Sequence, residues 1–129
     1  MTAFEEAVAC GVDGIELDVH LSKDGEVMIM HDEALSRTTG RSGIVSDYTR
    51  AELEAIGVGK AEDGSWNSFP TIPSLEEYFS VIGGRAVTNI ELKTAPLYYP
   101  GIEEKVAALI RSFSLEDRVI ISSFNWLSV

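Results

Sequence analysis

The chain has 129 residues, 45% hydrophobic and 24% charged, the composition of one folded domain rather than of a disordered segment. Ten Lys and Arg stand against 21 Asp and Glu, a net charge of -11, which argues against nucleic acid and anionic membranes and favours cationic partners such as divalent metals. The single cysteine, Cys10, excludes an internal disulfide, and neither a membrane-spanning apolar run nor a signal-peptide pattern is present, so a soluble cytoplasmic protein is expected.

Residues Thr2 to Cys10 carry apolar side chains at Ala3, Phe4, Ala7 and Val8, the spacing of a helix face, and Gly11 follows as a stop. From Gly14 to Leu21 the pattern alternates. Ile15, Leu17, Val19 and Leu21 point one way and Glu16, Asp18 and His20 the other, which predicts a strand with His20 facing solvent. Asp24-Gly25 signals a turn, and Val27 to Met30 is a short apolar strand.

Between Glu33 and Pro73 the periodicity weakens and predicts an irregular excursion within the domain. Arg37-Thr38-Thr39-Gly40 and Arg41-Ser42-Gly43 read as loop. Ser46 to Ile56 holds a short helix, with Thr49 as N-cap and Glu52 completing a capping box. Ser74 to Ile82 is a stronger helix, capped by Ser74 and ended by Gly83-Gly84. Ala86 to Leu92 reads as a strand, Gly101 to Phe113 as an amphipathic helix, and Arg118 to Ser122 as a β-branched strand. Alternation of this kind predicts an α/β fold with a mostly parallel sheet covered by helices.

Active sites in such folds lie toward the carboxyl ends of strands, so charged residues there carry the chemistry. Glu16 and Asp18, two apart on one strand face, repel each other unless a cation lies between them; the alternative is a solvated face. Glu91 and Lys93 share a face of a second strand, either as a mutual ion pair or as a third metal ligand beside a phosphate-binding lysine. His31 follows a short strand. The link between the two early strands is too short for an ordinary parallel crossover, so they form either a hairpin or a tight non-helical crossover. A hairpin centred on Lys23-Asp24 sets His31 opposite Glu16; a crossover brings it to the same rim. An imidazole there suits general acid or base work. Asp32 either orients that ring or caps the next turn, the cap being the preferred reading.

These segments resemble the glycerophosphodiester phosphodiesterase family. The resemblance rests on Glu16-Leu17-Asp18-Val19, Lys23-Asp24-Gly25, His31-Asp32, Arg37-Thr38-Thr39-Gly40 and Gly43, then Thr49 to Leu53, Ile72-Pro73-Ser74-Leu75-Glu76-Glu77, Asn89-Ile90-Glu91-Leu92-Lys93 and Ser122-Ser123-Phe124. It implies a partial TIM (β/α)8 barrel over 1–129, with residues 33–73 as a small insertion. It implies metal-dependent hydrolysis of glycerophosphodiesters to glycerol 3-phosphate and an alcohol. Glu16, Asp18 and Glu91 would hold Mg²⁺ or Ca²⁺, and His31 would be one of two catalytic histidines. Lys93 would contact the phosphate, and Ser123 and Phe124 would line the pocket, packing at a strand end being the other reading of those two.

The family pattern opens with His-Arg-Gly and Pro-Glu-Asn-Thr, ahead of the segment that matches Met1-Thr2-Ala3-Phe4, and it continues for further strands. These 129 residues alone are therefore expected to have little or no activity, and to form a homo-oligomer through the open edges of a partial sheet. The competing reading is a non-catalytic remnant that binds metal or phosphodiester or assembles with another chain. A phospholipase-like relative is a third; its only candidate lipid-facing rim is the loop Leu97-Tyr98-Tyr99-Pro100.

Overall fold

The computed structural model describes residues 1–94 and 99–128. A four-stranded sheet forms its centre: β1 (Gly14–Leu21), β2 (Val27–Ile29), β3 (Val87–Leu92) and β4 (Val119–Ser122), in the order β2-β1-β3-β4. β1 and β3 are parallel, as are β3 and β4, while β2 is antiparallel to β1. The sheet is thus mixed at one edge and parallel across the rest. Each parallel step is bridged by a helix, as parallel connections require.

The early strands form the hairpin, with a register one residue away from that of a turn centred on Lys23-Asp24. Leu21 pairs with Val27 and Val19 with Ile29. Three residues, Lys23 to Gly25, close the turn, and Gly25 has φ +81°, the left-handed conformation that a three-residue hairpin loop needs. Met30 N–H consequently donates to the Asp18 carbonyl at 3.0 Å, and the expected Glu16–His31 pairing is not made.

One face of the sheet is apolar. Leu17, Val19, Ile90 and Leu92 are buried on it against three helices. These are α1 (Thr2–Ala9), α4 (Leu75–Val81) and α5 (Ile102–Ser112). α4 contributes Leu75, Tyr78 and Phe79, and α5 contributes Ile102, Val106 and Ile110 at helical spacing. Ser74 caps α4 by accepting from Glu77 N–H at 3.2 Å, as its place before the apolar run predicts.

The excursion is more ordered than its sequence suggests. Arg37-Thr38-Thr39, read as loop, lies in a single helical turn, α2 (Ser36–Thr39). Thr39 stabilises that turn by donating to the Leu35 carbonyl at 2.7 Å, a local bond that propensity does not reveal. The helix expected over Ser46 to Ile56 begins only at the Thr49 cap, as α3 (Arg50–Glu54), after a 3-10 turn at Val45–Asp47. Its capping box is formed: Thr49 N–H donates to Glu52 Oε2 at 2.8 Å. Met28, Met30, Leu35, Val45, Leu53, Ile56 and Ile72 make a second buried cluster, separate from the one beneath the sheet.

Candidate functional site

The polar face of the sheet gathers the charged residues. Parallel pairing sets Asp18 beside Glu91 and Glu16 beside Asn89. One carboxylate oxygen from each of Glu16, Asp18 and Glu91 lies within 4.8 Å of the others. Lys93 extends beyond β3 and turns its ammonium into this group, with Nζ 2.8 Å from Asp18 Oδ1 and 2.5 Å from Glu91 Oε1. This ion pair is the first of the two sequence readings of Lys93.

One ammonium faces three carboxylates, and the imbalance is felt at Glu16. Partial burial and then the charges of Asp18 and Glu91 push its carboxyl above the ordinary value. Burial opposes the charge on Lys93, but hydrogen bonds to Asp18 and Glu91 outweigh it and raise its pKa. Three convergent carboxylates are the oxygen-donor set that a hard divalent cation takes, so these residues fit such an ion.

His31 lies just past β2, with its side chain 69% exposed. Its Nδ1 is 2.7 Å from Asp32 Oδ1. The second Asp32 oxygen accepts from Arg37 Nε at 2.5 Å. Asp32 therefore holds the ring and is no helix cap; Leu35 occupies the cap position of α2. The Arg37 bond first, and His31 second, hold the Asp32 carboxyl well down, at about 2. Arg37 stands in the Arg37-Thr38-Thr39 motif, where the sequence shows a cation five residues after Asp32 but not what it meets.

Glu91, Ser122, Ser123 and Phe124 line an open pocket of about 270 Å³. The Ser123 hydroxyl is engaged within the fold, donating to the Leu92 carbonyl at 2.9 Å and accepting from Asn125 N–H at 3.0 Å. Phe124 is 90% exposed beside it.

His20 is not the solvent-facing residue that alternation predicts; it is 3% exposed. It shares the face of Glu16 and Asp18, but Tyr99 and the backbone of His31 cover it. Burial lowers its pKa and favours the neutral ring. Tyr99 is buried too, and burial, followed by the Glu33 charge, pushes its hydroxyl up to about 12. Leu97 and Tyr98 of the suggested lipid-facing loop lie outside the described residues. No helix among the described residues is long and apolar enough to cross a membrane.

Comparison with known proteins agrees with this architecture. The chain is 48% identical over 132 residues to a glycerophosphodiester phosphodiesterase of Bacillus altitudinis, covering 97% of this chain and 51% of the relative. It is 44% identical over 130 residues to a glycerophosphodiester phosphodiesterase of Caldanaerobacter subterraneus subsp. tengcongensis, covering 100% and 53%. The crystal structure of a glycerophosphodiester phosphodiesterase from Agrobacterium tumefaciens superposes with a TM-score of 0.83 at 34% identity, over 98% of this chain and 52% of that one. The corresponding Thermotoga maritima enzyme gives 0.71 at 32% identity, over 98% and 48%. The chain spans about half the length of the curated relatives it matches. Its sheet and helices form part of the TIM barrel of these solved structures. The model of the glycerophosphoryl diester phosphodiesterase family matches residues 1–129, and the chain belongs to that family.

Proposed function

We propose that this chain carries the metal-binding and one acid–base part of a glycerophosphodiester phosphodiesterase, which hydrolyses its substrate to glycerol 3-phosphate and an alcohol. The observation that carries the proposal is the meeting of Glu16, Asp18 and Glu91 on one sheet face, with His31 just past the neighbouring strand β2. Held by those three carboxylates, Mg²⁺ or Ca²⁺ would neutralise phosphodiester oxygens and the charge that builds at phosphorus.

The chain's own residues supply the rest. With Nδ1–H given to Asp32, His31 presents Nε2 as a proton acceptor. From there it takes the proton of an attacking water, or in its protonated form donates one to the departing alkoxide. The bond that forms is from the attacking oxygen to phosphorus, and the bond that breaks is from phosphorus to the alcohol. Lys93 binds a phosphate oxygen when its ammonium is drawn from the carboxylates. Ser123 and Phe124 border the alcohol side of the pocket.

The test is release of glycerol 3-phosphate from glycerophosphocholine, with Mg²⁺ or Ca²⁺ against chelator. It is run on this chain and on the chain preceded by a His-Arg-Gly and Glu-Asn-Thr segment. Metal-dependent release that disappears in His31→Ala supports the proposal. Metal binding without release in either form overturns it in favour of a non-catalytic binding role.

Two expectations from the sequence accompany this reading. A cytoplasmic site of action is checked by cell fractionation. Self-association through sheet edges is checked by sedimentation. β2 is partly covered on its outer side, since Ile29 N–H donates to the Pro73 carbonyl at 2.9 Å, so the edge that would serve is β4.

A further inference from the structure

His20 takes no part in the chemistry above, yet it is buried on the same strand face as Glu16 and Asp18. A buried imidazole has two ring nitrogens to satisfy. Nε2 lies 3.4 Å from the His31 carbonyl oxygen, and Nδ1 lies 3.2 Å from the Tyr99 hydroxyl. The Tyr99 ring meets the imidazole edge-on, with centroids 5.7 Å apart and planes at 83°. A carbonyl oxygen only accepts, so Nε2 carries the proton and Nδ1 accepts from the Tyr99 O–H. One ring thus ties together two connections that are far apart in sequence, the segment after β2 that carries His31 and the segment before α5 that carries Tyr99.

We infer that His20 is a positioning residue for His31: its Nε2–H holds the His31–Asp32 peptide in place, and Tyr99 serves the same tautomer by donating its O–H to Nδ1. The position of this peptide decides where both members of the His31–Asp32 pair begin, because the two are neighbours in the chain. Its catalytic consequence rests on the acid–base role proposed for His31; the positioning itself does not. A role in packing alone makes a different claim, that a side chain of similar size and polarity serves as well whichever way its donor points.

The reporter is the Asp32 backbone amide, which shares a peptide plane with the His31 carbonyl. Its order parameter is measured by ¹⁵N relaxation in the chain and in His20→Gln, His20→Asn and Tyr99→Phe. A Gln amide nitrogen stands where Nε2 stands and an Asn amide where Nδ1 stands, so only Gln keeps the donor. The Asp32 amide is expected to be rigid, near ~0.85, in the chain and in H20Q, and to fall below ~0.6 in H20N. Tyr99→Phe, which keeps the ring and loses the donor to Nδ1, is expected to give an intermediate value. Equal rigidity in H20N and H20Q, or equal loss in both while the sheet amides stay ordered, overturns the inference.

Turnover separates this inference from the function on which its consequence rests. With glycerophosphocholine, and in the chain preceded by the His-Arg-Gly and Glu-Asn-Thr segment, H20N is expected to lower kcat at least ~10-fold with KM unchanged and H20Q to recover it, because a misplaced catalytic group costs rate rather than affinity. If H31A keeps full turnover while H20N loosens Asp32, the acid–base reading falls and the positioning stands. If H31A abolishes turnover while H20N leaves Asp32 rigid, the positioning falls and the acid–base reading stands.

Discussion

Nδ1 of His31 lies 2.7 Å from Oδ1 of Asp32, the next residue in the chain, although the histidine side chain is largely in solvent. An exposed pair of neighbours seldom holds one geometry unaided. Here Arg37 anchors the other carboxylate oxygen, so the aspartate is fixed before the imidazole meets it. Asp32→Asn removes the charge-assisted bond and lets the ring choose either tautomer. In the chain preceded by the His-Arg-Gly and Glu-Asn-Thr segment, if the proposed acid–base role holds, we expect kcat for phosphodiester hydrolysis to fall on the order of 10²-fold, as when a positioned base loses its orienting partner. An unchanged kcat would show that the pair is ornamental.

The same carboxylate predicts a pH effect. Its pKa is depressed from 3.8 to about 2 in the folded chain. A depressed carboxyl pKa means that its contribution to stability is complete above the ordinary value and is lost as the pH falls through the folded one. Urea midpoints of the parent should therefore drop between pH 3.8 and about 2 more steeply than those of Asp32→Asn. Parallel curves would show that Asp32 gains nothing from Arg37 and His31.

The ammonium of Lys93 and the divalent cation expected at the same carboxylates are alternatives for one charge deficit. Without added metal, Lys93→Met leaves Asp18 and Glu91 without their counter-ion, and we expect a loss of about 3 kcal/mol, the low end for breaking a buried pair. Adding Mg²⁺ or Ca²⁺ should restore stability in this variant and raise its Tm more than that of the parent. A ligand at ~100 times its Kd stabilises by about 2.7 kcal/mol, and Glu91→Gln should forfeit that increment. A Tm indifferent to both metals in the parent would remove the metal reading of the cluster.

Part of this arrangement is legible in the sequence, because β1 alternates strictly and puts Glu16 and Asp18 on one face; the register that sets Asp18 beside Glu91 is decided by the fold. The caps at Thr49 and Ser74 are legible for the same kind of reason: one side chain and one backbone N–H three residues away decide them. His20 is not legible. Alternation tells which face it takes, but Tyr99, 79 residues away in the chain, decides that the face is covered there. The order of the excursion is hidden likewise, since its second apolar cluster joins Met28 to Leu53 and Ile72 without a helix or strand period. The hairpin is expected as one of two alternatives, and a single residue of turn length shifts its register.

Gly57 illustrates what composition cannot tell. In the sequence it marks only irregular backbone; in the fold it pairs with Thr71, and a Cβ placed there would fall inside the Asn67 carbonyl group. The obstacle is backbone, which cannot rotate away as a side chain can. Gly57→Ala should therefore cost at least ~1–3 kcal/mol, the range for overpacking. Amide exchange should accelerate in residues 56–72 and leave β1 and β3 protected. Exchange rising equally in the sheet would mean that the excursion and the sheet unfold as one unit.

Tyr78 and Thr88 meet beneath the sheet, with hydroxyl oxygens 2.9 Å apart and both side chains buried. Tyr78 is 0% exposed, and burial raises the pKa of its hydroxyl. Each single change, Tyr78→Phe or Thr88→Val, removes one partner and leaves the other hydroxyl buried without a bond, so each should cost about 1–2 kcal/mol. The double variant removes both hydroxyls and the penalty for leaving either unpaired. Its cost should fall short of the sum of the singles by about 1 kcal/mol, a coupling that denaturant midpoints resolve. Strict additivity would show that water or local repacking satisfies the stranded hydroxyl. The stability of α4 against β3 would then come from the apolar contacts of Tyr78 and Phe79 alone.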